Sequence, residues 1–440
     1  MGVFFGTDGI RGVVNHDLSY EVCYRCGNAL AKKYSGAKLL LGKDTRRSGD
    51  FVALAFALGA INGGASVVDV GVCPTAGVAF LTKHLGYDFG VVISASHNPA
   101  EFNGIKIFDS FGKKLGDPRE EELEKLFLTS SAQSVDLIGC YSQNFRIKKH
   151  YENFLKNSIG SKLCGLTIVL DCANGASFKI APAVFRACGA KVISLSCKPD
   201  GKNINKNCGA LHLQHLKRNV LKFKADMGFA FDGDSDRVIA VDECGQVVDG
   251  DKIIYLFALS YMQKNKLDPA VVVGTRHTNM GVEHALNNHG IKLIRTDIGD
   301  KYVGAKLDEK ALLIGGEQSG HVFVKDKLST GDGILNALLI ADICQTQNKK
   351  LSQFFDFQTY KQVNLNVKVT DKMRVINSQK LADAEKQEIG WLKSDGRIMI
   401  RVSGTEPYIR IMVETKDETC SAEIAKRLEC VIQTIERENC

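Results

Sequence analysis

Short apolar runs recur along the chain, each closed by a polar or glycine-containing turn and followed by a helical stretch. In the first such unit, the apolar run at residues 38–42 precedes a polar turn, a helical stretch that ends at Gly63 and Gly64, and a second apolar run at residues 66–70. A strand, a helix with a glycine at its C-terminus and a second strand form the pattern of a βαβ crossover with parallel strands. We therefore expect an α/β architecture.

Two further units repeat this pattern. Their helical stretches lie between apolar runs at 167–170 and 191–195 and between apolar runs at 270–273 and 292–295. The units share few identical residues, so the repetition is one of architecture, and one large doubly wound sheet is the alternative. Because the units begin roughly 100 to 130 residues apart, which is the length of a domain, three separate α/β domains are favoured.

The C-terminal part of the chain has a different pattern. Residues 363–369 alternate between apolar and polar, the runs 397–402 and 409–413 flank a glycine-containing loop, and residues 422–435 are helical. Alternation of this kind indicates half-buried antiparallel strands, so we predict a small α+β domain. The predicted domains are residues 1–147, 148–247, 248–361 and 362–440.

Composition excludes several classes of protein. The chain has 440 residues, of which 44% are hydrophobic and 24% charged, as in globular proteins with a large core. The net charge of +7 is not concentrated in a basic run, so no nucleic-acid partner is expected. The longest apolar candidate, residues 51–61, is too short to span a membrane. With no recognisable signal peptide, we expect a cytoplasmic protein whose 14 cysteines are reduced and mostly buried.

The sharpest chemical signal is an acidic turn between two apolar runs. Asp232, Asp234 and Asp236 alternate with small residues, and Arg237 follows. Three carboxylates so close together repel one another unless a cation is bound, and their hard oxygen atoms suit Mg²⁺. A calcium-binding EF-hand loop is the alternative, with Glu243 at its twelfth position. However, Arg237 stands where that loop needs glycine, and strands rather than helices flank the turn.

A second motif follows the apolar run 89–93 and contains Ser96, His97 and Pro99. Ser96 with His97 is one candidate for a hydrolytic dyad, but the GxSxG elbow is missing and adjacent residues rarely aim their side chains at each other. Ser96 as a phosphoryl carrier facing the acidic turn is the second interpretation. An ordinary turn rich in serine and asparagine is the third.

Two further loops have the chemistry of binding sites. Hydroxyl groups, a glycine and two arginines between predicted strands are expected to form a concave site for a phosphate group, at Arg401, Ser403, Gly404, Thr405 and Arg410. A solvated hairpin is the alternative. The glycine-rich loop that follows a predicted strand at 311–314 presents Glu317 and Ser319, whose polar groups suit sugar hydroxyls or an amine. Alone, this second loop is a weak signal.

Taken together and in this order, the loops resemble those of the α-D-phosphohexomutase superfamily. The matching segments are spread over all four predicted domains: FGTDGIRG at 5–12, ISASHNP at 93–99, DGDSDR at 232–237, GEQSGH at 316–321 and RVSGTEP at 401–407. The GEQSGH form resembles the branch that acts on glucosamine phosphate. Residues 203–212 depart from the usual family pattern, so no site role is assigned to Leu211 or His212, and the departure touches none of the other motifs.

The resemblance implies four domains around a central cleft: three similar mixed α/β domains and a smaller C-terminal α+β domain. It also implies that Ser96 is a phosphoserine, and that one Mg²⁺ per subunit is held by the three aspartates and an oxygen of the Ser96 phosphate. Arg237 would neutralise charge, Glu317 and Ser319 would bind the sugar, and the loop at 401–410 would bind its phosphate.

The implied reaction interconverts glucosamine 6-phosphate and glucosamine 1-phosphate through a 1,6-bisphosphate, with glucosamine or glucose 1,6-bisphosphate as intermediate or activator, and supplies UDP-N-acetylglucosamine synthesis. Arg11, Lys106 and His321 are the candidates for acid–base or electrostatic roles by family position. As a base, Lys106 would need a lowered pKa, and the alternative is that Lys106 and Arg11 only bind phosphate.

The expected partner is a phosphorylated hexosamine, with no nucleic acid and no membrane, and the expected state is a monomer or homodimer. A phosphomannomutase or phosphoglucomutase of the same superfamily is the alternative function. A serine phosphatase and a non-catalytic sugar-phosphate-binding protein are alternatives from other classes.

Overall fold

A computed structural model describes residues 5–6, 9–129, 138–393, 395–403 and 406–438. The chain packs into two compact units. The first comprises Met1–Thr278 and His289–Phe354, and the second comprises Asn279–Asn288 and Phe355–Cys440. This division into two units does not test the boundaries of the four predicted domains, which remain a prediction.

The first unit begins with a mixed sheet of seven strands in the order β1-β2-β6-β5-β3-β4-β7. Strand β3 is parallel to β4 and to β5, whereas β6 is antiparallel to β5, and these pairings confirm the strands predicted at 38–42, 66–70 and 89–93. The elements of this module are β1 (Phe5–Gly6), β2 (Gly9–Val13), α1 (Tyr20–Lys33), β3 (Lys38–Lys43), α2 (Gly49–Asn62), β4 (Ser66–Val72), α3 (Thr75–Leu85), β5 (Phe89–Ile93), β6 (Phe102–Asp109), α4 (Asp117–Thr129) and β7 (Tyr141–Gln143).

A second module follows, with a five-stranded sheet in the order β12-β11-β10-β8-β9. Strand β8 is parallel to β9 and β10, as predicted for a βαβ unit, and β10 is antiparallel to β11. The acidic turn therefore connects two antiparallel strands and is not flanked by the helices of an EF-hand. The elements are α5 (Lys148–Asn157), β8 (Thr167–Asp171), α6 (Ile180–Ala187), β9 (Lys191–Leu195), α7 (Gln214–Phe223), β10 (Met227–Phe231), β11 (Val238–Asp242) and β12 (Val247–Val248).

The third sheet has the strand order β14-β13-β15-β16, with β13 parallel to β14 and β15. In chain order, the helices and strands of this part of the chain are α8 (Gly250–Gln263), β13 (Val271–Thr275), α9 (Met280–Asn288), β14 (Lys292–Thr296), α10 (Asp300–Glu309), β15 (Ile314–Gly316), β16 (Val322–Val324) and α11 (Gly333–Gln347). All of them except α9 belong to the first unit. The strand predicted at 311–314 is wrong. Ala311 has a left-handed φ of 51° and Leu312 donates its N–H to Leu307, so these residues finish α10 and the strand starts at Ile314.

The second unit contains a three-stranded antiparallel sheet in the order β17-β19-β18. Its helices pack an apolar core against the sheet, which confirms the predicted α+β pattern. Helix α9 belongs to this unit, and the remaining elements are β17 (Lys361–Lys368), α12 (Lys372–Ile376), α13 (Gln379–Leu392), β18 (Gly396–Val402), β19 (Tyr408–Thr415) and α14 (Glu418–Arg437). Two 3₁₀ turns complete the described chain, at Phe145–Ile147 and Leu351–Phe354.

These separate sheets show that the alternative of one large doubly wound sheet is wrong. The apolar stretch 51–61 lies in α2, where Val52, Phe56 and Ala60 are buried in the core of the first sheet. Across the residues that the structure describes, no helix is both long and apolar enough to cross a bilayer.

Candidate active site

Ser96 lies on the loop that leaves β5. Every residue of β5 is buried, so the strand holds the start of this loop firmly in the core. Ser96 itself is only 1% exposed and has a left-handed φ of 51°. Its Oγ donates a hydrogen bond of 2.6 Å to Oδ2 of Asp232, and its N–H donates to Oγ of Ser94 at 2.9 Å. A left-handed serine is a strained conformation that the surrounding contacts have to maintain.

Arg46, on the loop after β3, supplies many of those contacts. Its guanidinium nitrogens donate to the backbone carbonyls of Ser96 (3.0 Å), Asn98 (2.8 Å), Pro99 and Phe102 (2.9 Å). Its Nε donates to the carboxylate of Asp44 at 2.8 Å, and both side chains of this ion pair are fully buried. Arginine suits this position because its planar group presents five donors in a fixed arrangement.

Asn205, in the segment that departs from the family pattern, also binds the serine loop. Its side-chain amide donates to the carbonyl oxygens of Ser96 at 2.9 Å and Asn98 at 3.0 Å. Asn205 therefore joins this segment to the serine loop. Leu211 and His212, in contrast, are exposed, and no site role is assigned to them.

We expect the Arg46→Lys variant to lower kcat by about ten- to a hundredfold with a smaller change in KM. A lysine provides one point charge instead of a planar donor array, so the serine loop loses most of its anchors and Ser96 is displaced. Steady-state kinetics measures the effect. The neighbouring Arg47 is exposed, and Arg47→Lys is the matched control that should stay near wild type. Equal activity of both variants would contradict the positioning role of Arg46.

The three aspartates of the acidic turn face the serine. Asp232, Asp234 and Asp236 are buried, and one oxygen from each lies within 4.8 Å of the others. Lys106 donates from Nζ to Oδ2 of Asp234 at 2.8 Å and to Oδ2 of Asp236 at 3.1 Å, while Thr75 donates from Oγ1 to Oδ2 of Asp234 at 2.6 Å. Sequence positions more than 100 residues apart are thus brought together.

This acidic cluster fits a divalent cation. Lys106 occupies the Oδ2 atoms of Asp234 and Asp236, and the Oδ1 atoms of both residues are buried without a hydrogen-bond partner among the described residues. Buried carboxylate oxygens without partners are costly, and a hard cation is the ligand they suit. Oδ1 of Asp236 lies 3.7 Å from Nδ1 of His321, whereas among the described residues no contact is recorded for Oδ1 of Asp234. The fit is therefore supported by the buried Asp234 oxygen as well as by residue type.

The surroundings of the turn shift the pKa values of Asp232 and Asp236 in opposite directions. Burial, with the neighbouring Asp236 and Asp234, raises the pKa of Asp232 well above its usual range. Burial acts in the same direction on Asp236, but the ammonium of Lys106 and the imidazole of His321 outweigh it and hold the pKa of Asp236 well below that range. The surroundings therefore disfavour the ionised form of Asp232 and favour that of Asp236.

The same contacts also shift the pKa of Lys106. Burial lowers the pKa of the Lys106 ammonium, but the carboxylates of Asp234 and Asp236 outweigh burial and raise it. A general base needs a lowered pKa, so this arrangement favours the electrostatic role of Lys106 over the basic one. Which residue removes the proton stays a prediction.

His97 differs from the sequence expectation. Its Nδ1 lies 3.3 Å from Oγ of Ser96, so the adjacent side chains do contact each other. Burial, followed by the charges of Arg237 and Arg11, lowers the pKa of His97 to about 4, which keeps the ring neutral near neutral pH. The shorter bond of Ser96 is nevertheless the one to Asp232, and this favours the phosphoryl-carrier interpretation over a hydrolytic dyad.

Cationic side chains surround the acidic turn. Burial lowers the pKa of Arg237, but the carboxylates of Asp236 and Asp232 outweigh burial and raise it. For Arg11 the balance is reversed, because burial outweighs the carboxylates and lowers its pKa. His321 Nδ1 lies 3.7 Å from Asp236, and its Nε2 lies 3.9 Å from Asp300. Positive groups of this number suit a site that accepts phosphate.

The glycine-rich loop after β15 places its two predicted binding residues, Glu317 and Ser319, in different environments. Glu317 is buried, and its Oε1 accepts the N–H of Gly299 at 3.0 Å. Burial raises the pKa of the Glu317 carboxyl. Ser319 is exposed. Asp300 forms a 2.5 Å ion pair with Lys114 and lies 3.9 Å from Nε2 of His321. Neither Asp300 nor Lys114 belongs to a motif that was recognised in the sequence.

In the second unit, Arg401 and Arg410 are cross-strand partners in β18 and β19. Like charges directly opposite each other destabilise a sheet unless anions lie nearby. The Glu406 carboxylate accepts a hydrogen bond from Arg410 at 2.8 Å, and the phosphate predicted at this loop would be a second anion beside the pair. Ser403 is buried, and Lys372, which the sequence analysis missed, donates from Nζ to the Ser403 carbonyl at 2.8 Å. Gly404 and Thr405 lie outside the described residues.

Comparisons with known proteins agree with this architecture. Family models match in chain order, each described as phosphoglucomutase/phosphomannomutase: alpha/beta/alpha domains I, II and III at residues 2–134, 147–245 and 249–360, and the C-terminal domain at 365–429. The chain is 42% identical to the phosphoglucosamine mutase of Carboxydothermus hydrogenoformans, over 99% of this chain and 100% of the relative. It is also 42% identical to that of Clostridioides difficile, over 98% and 99%.

Solved structures share the fold. A phosphoglucomutase/phosphomannomutase family protein from Burkholderia thailandensis superposes with a TM-score of 0.84 at 24% identity, covering 98% of this chain and 97% of that one. The N-acetylphosphoglucosamine mutase of Aspergillus fumigatus, in complex with GlcNAc-6P and magnesium, gives a TM-score of 0.69 at 16% identity, with coverages of 99% and 96%. At these identities the likeness shows the fold alone. The full-length identity to curated relatives goes further: the chain belongs to the phosphoglucosamine mutase family of the phosphohexomutase superfamily.

Proposed function

We propose that this mutase interconverts glucosamine 6-phosphate and glucosamine 1-phosphate with Ser96 as the phosphoryl carrier. The observation that carries the proposal is the buried Ser96 hydroxyl, bonded to Asp232 within a cluster of three carboxylates. A hydroxyl needs no such cluster for packing. As a phosphate, however, it needs positive charge and a cation beside it.

Mg²⁺ is the cation we assign to the cluster, held by Asp232, Asp234, Asp236 and an oxygen of the Ser96 phosphate. When bound, it supplies neutralisation of the phosphoryl charge. The Oδ1 atom of Asp234, which is buried without a hydrogen-bond partner among the described residues, supports this assignment. The magnesium in the Aspergillus structure supports it as well.

The reaction consists of two phosphoryl transfers. In the first, the free hydroxyl of glucosamine 6-phosphate attacks the phosphorus of phosphorylated Ser96, the Oγ–P bond breaks, and the 1,6-bisphosphate forms. After the intermediate turns end for end, Ser96 takes the other phosphoryl group and glucosamine 1-phosphate leaves. Transfer of this kind depends on in-line positioning and on charge stabilisation, which Arg46, Lys106 and Arg237 would provide.

Each transfer also moves a proton from the attacking hydroxyl. His321, Lys106 and Arg11 stay the candidates by family position. Of these, His321 is a titratable ring lying between the carboxylates of Asp236 and Asp300. The loop with Arg401, Ser403, Gly404, Thr405 and Arg410 would bind the phosphate at the non-reacting end of the sugar, and Glu317 and Ser319 would bind the ring substituents.

The test is a side-by-side assay of glucosamine, glucose and mannose 6-phosphates, each with a catalytic amount of glucose 1,6-bisphosphate. We expect kcat/KM to be highest for glucosamine 6-phosphate. A higher value for glucose or mannose phosphate would favour the phosphoglucomutase or phosphomannomutase alternative instead.

Intact-mass measurement after incubation with the bisphosphate separates a mutase from a serine phosphatase. A mutase should retain one stable phosphoryl group on Ser96, whereas a phosphatase would return to the unmodified mass while inorganic phosphate accumulates.

A further inference from the structure

The backbone of Glu317 is held on both sides by its own loop. Its N–H donates to the carbonyl of His321 at 3.0 Å, and its carbonyl accepts the N–H of Gly320 at 3.0 Å. Gly250, the first residue of α8, packs so closely on the Glu317 carbonyl that a Cβ on Gly250 would overlap the oxygen atom. With the backbone fixed in this way, only the torsions of the Glu317 side chain decide where its carboxyl group lies.

The turn before α10 fixes the carboxyl end of that side chain. Oε1 of Glu317 accepts the backbone N–H of Gly299 at 3.0 Å, and this is the one hydrogen bond to the carboxyl group among the residues that the structure describes. Hydrogen bonds from N–H groups to a carboxylate are among the stronger ones in proteins, so this bond can select one arrangement of a side chain with three rotatable bonds. The protein thus engages Oε1, and Oε2 is left for a donor on the substrate.

Gly299 has a backbone conformation that only glycine adopts readily. Its φ is 133° and its ψ is 138°, a combination outside the three regions that other L-residues populate. Space for a side chain is not the obstacle, because an added Cβ would meet Tyr302 at an ordinary contact distance of 3.4 Å. An alanine at this position would therefore have to rotate the backbone, and that rotation redirects the N–H that Glu317 accepts.

The other side of this turn is anchored by the start of α10. The carbonyl of Gly299 accepts the N–H of Tyr302 at 3.1 Å, and Asp300, the first residue of the helix, forms the 2.5 Å ion pair with Lys114. Because these contacts hold the helix in place, the strain of a substitution at Gly299 would be relieved at the peptide group that carries its N–H. The effect of such a substitution is thereby directed at Glu317.

We propose that Gly299 is a positioning residue for substrate binding: its N–H holds Oε1 of Glu317, so that Oε2 accepts a hydrogen bond from an N–H or O–H donor on the sugar ring. The inference rests on the proposed function, in which Glu317 binds the ring substituents. A carboxyl group that is already oriented in the free enzyme loses less conformational freedom when the sugar binds, and this gain appears as affinity.

Steady-state kinetics of Gly299→Ala with glucosamine 6-phosphate tests the proposal. We expect KM to rise by about ten- to a hundredfold while kcat changes much less, because the lost interaction binds the sugar both before and during transfer. Gly290→Ala is the matched control: Gly290 is exposed, also has a positive φ (72°), and has no atom within 4 Å of an added Cβ, so both constants should stay near wild type. An unchanged KM in Gly299→Ala would overturn the proposal.

Glucose 6-phosphate, as a second substrate, identifies the donor. A larger loss with glucosamine 6-phosphate assigns the amino group to Oε2, and an equal loss with both sugars assigns a ring hydroxyl. A double-mutant cycle then separates positioning from a structural effect. In a Glu317→Ala background, Gly299→Ala should change KM by less than about twofold, because the group it positions has been removed. Full additivity of the two substitutions would show that Gly299 does not act through Glu317.

A crystal structure of the wild-type protein with glucosamine 6-phosphate bound gives an answer even if Gly299→Ala does not fold. The N–H of Gly299 should stay within hydrogen-bond distance of Oε1 of Glu317 while Oε2 contacts a donor on the ring. A Glu317 side chain that leaves Gly299 in the complex, or an Oε2 without a ring donor, would overturn the proposal. An inactive wild type would count against the proposed function instead, so the two failures are distinguishable.

Discussion

The Ser96→Ala variant is expected to lose mutase turnover by about 10⁴-fold or more and to carry no phosphoryl group after incubation with glucose 1,6-bisphosphate. The reason is chemical, because alanine has no oxygen to accept the phosphoryl group. Among the described residues, the only other hydroxyl that donates to one of the three carboxylates is that of Thr75, which binds Asp234. Coupled-enzyme kinetics and intact mass measure the two effects.

The control for this variant is Ser110→Ala, which changes an exposed serine in the same module and should keep wild-type activity and phosphorylation. Because Ser96 is buried and its Oγ is small, the alanine variant should also unfold at nearly the wild-type temperature. Near-normal turnover of Ser96→Ala, or a phosphoryl group that persists in it, would show that Ser96 is not the carrier.

The Asp234→Asn variant is expected to lose Mg²⁺-dependent activity by about 10²- to 10³-fold, because it removes one charged ligand without changing the size of the side chain. Asn is preferable to Ala since its carbonyl oxygen still accepts the Lys106 and Thr75 donors. A readout besides activity is the unfolding temperature. Mg²⁺ should raise it in wild type, since a ligand that binds only the native state stabilises that state, and should raise it much less in the variant.

Asp242→Asn is the matched control for the metal prediction. Asp242 ends β11 in the same sheet as the acidic turn, and a single oxygen of its carboxylate accepts the N–H groups of Cys244 and Gln246. The asparagine amide can do the same, so stability, Mg²⁺ response and activity should stay near wild type. An Asp234→Asn enzyme that works at full rate in chelator would rule out the metal assignment.

Local patterns predicted most of the fold. The predicted strands at 89–93 and 191–195 agree with the observed bounds because each contains a short apolar, β-branched run, Val91–Ile93 and Val192–Ile193, between turn residues. The failure at 311–314 has a local cause too. Alanine at position 311 gave no indication of a left-handed helix end, a role that glycine usually signals.

The support of the site was harder to predict. The residues that carry the chemistry lie in motifs, but Arg46 and Asn205 hold Ser96 through its backbone carbonyl, 50 and 109 positions away in the sequence. A hydrogen bond to a backbone carbonyl places no requirement on the identity of the residue that it binds, so no pairing of residue types is visible. Thr75 and Asp300 were missed for a related reason: each acts on a predicted residue from a segment with no pattern of its own.

The left-handed turn at Ser96 also has a consequence for biosynthesis. Its anchors are contributed in the order Arg46, Asn205 and Asp232, the last lying 136 residues beyond the serine. A nascent chain emerges N-terminus first, so the first module can fold before the last two anchors have been made. Until the second module has been synthesised and docked, the serine hydroxyl has no acidic cluster beside it. On the proposed function, we therefore expect phosphoryl chemistry at Ser96 to begin only after the second module has been made.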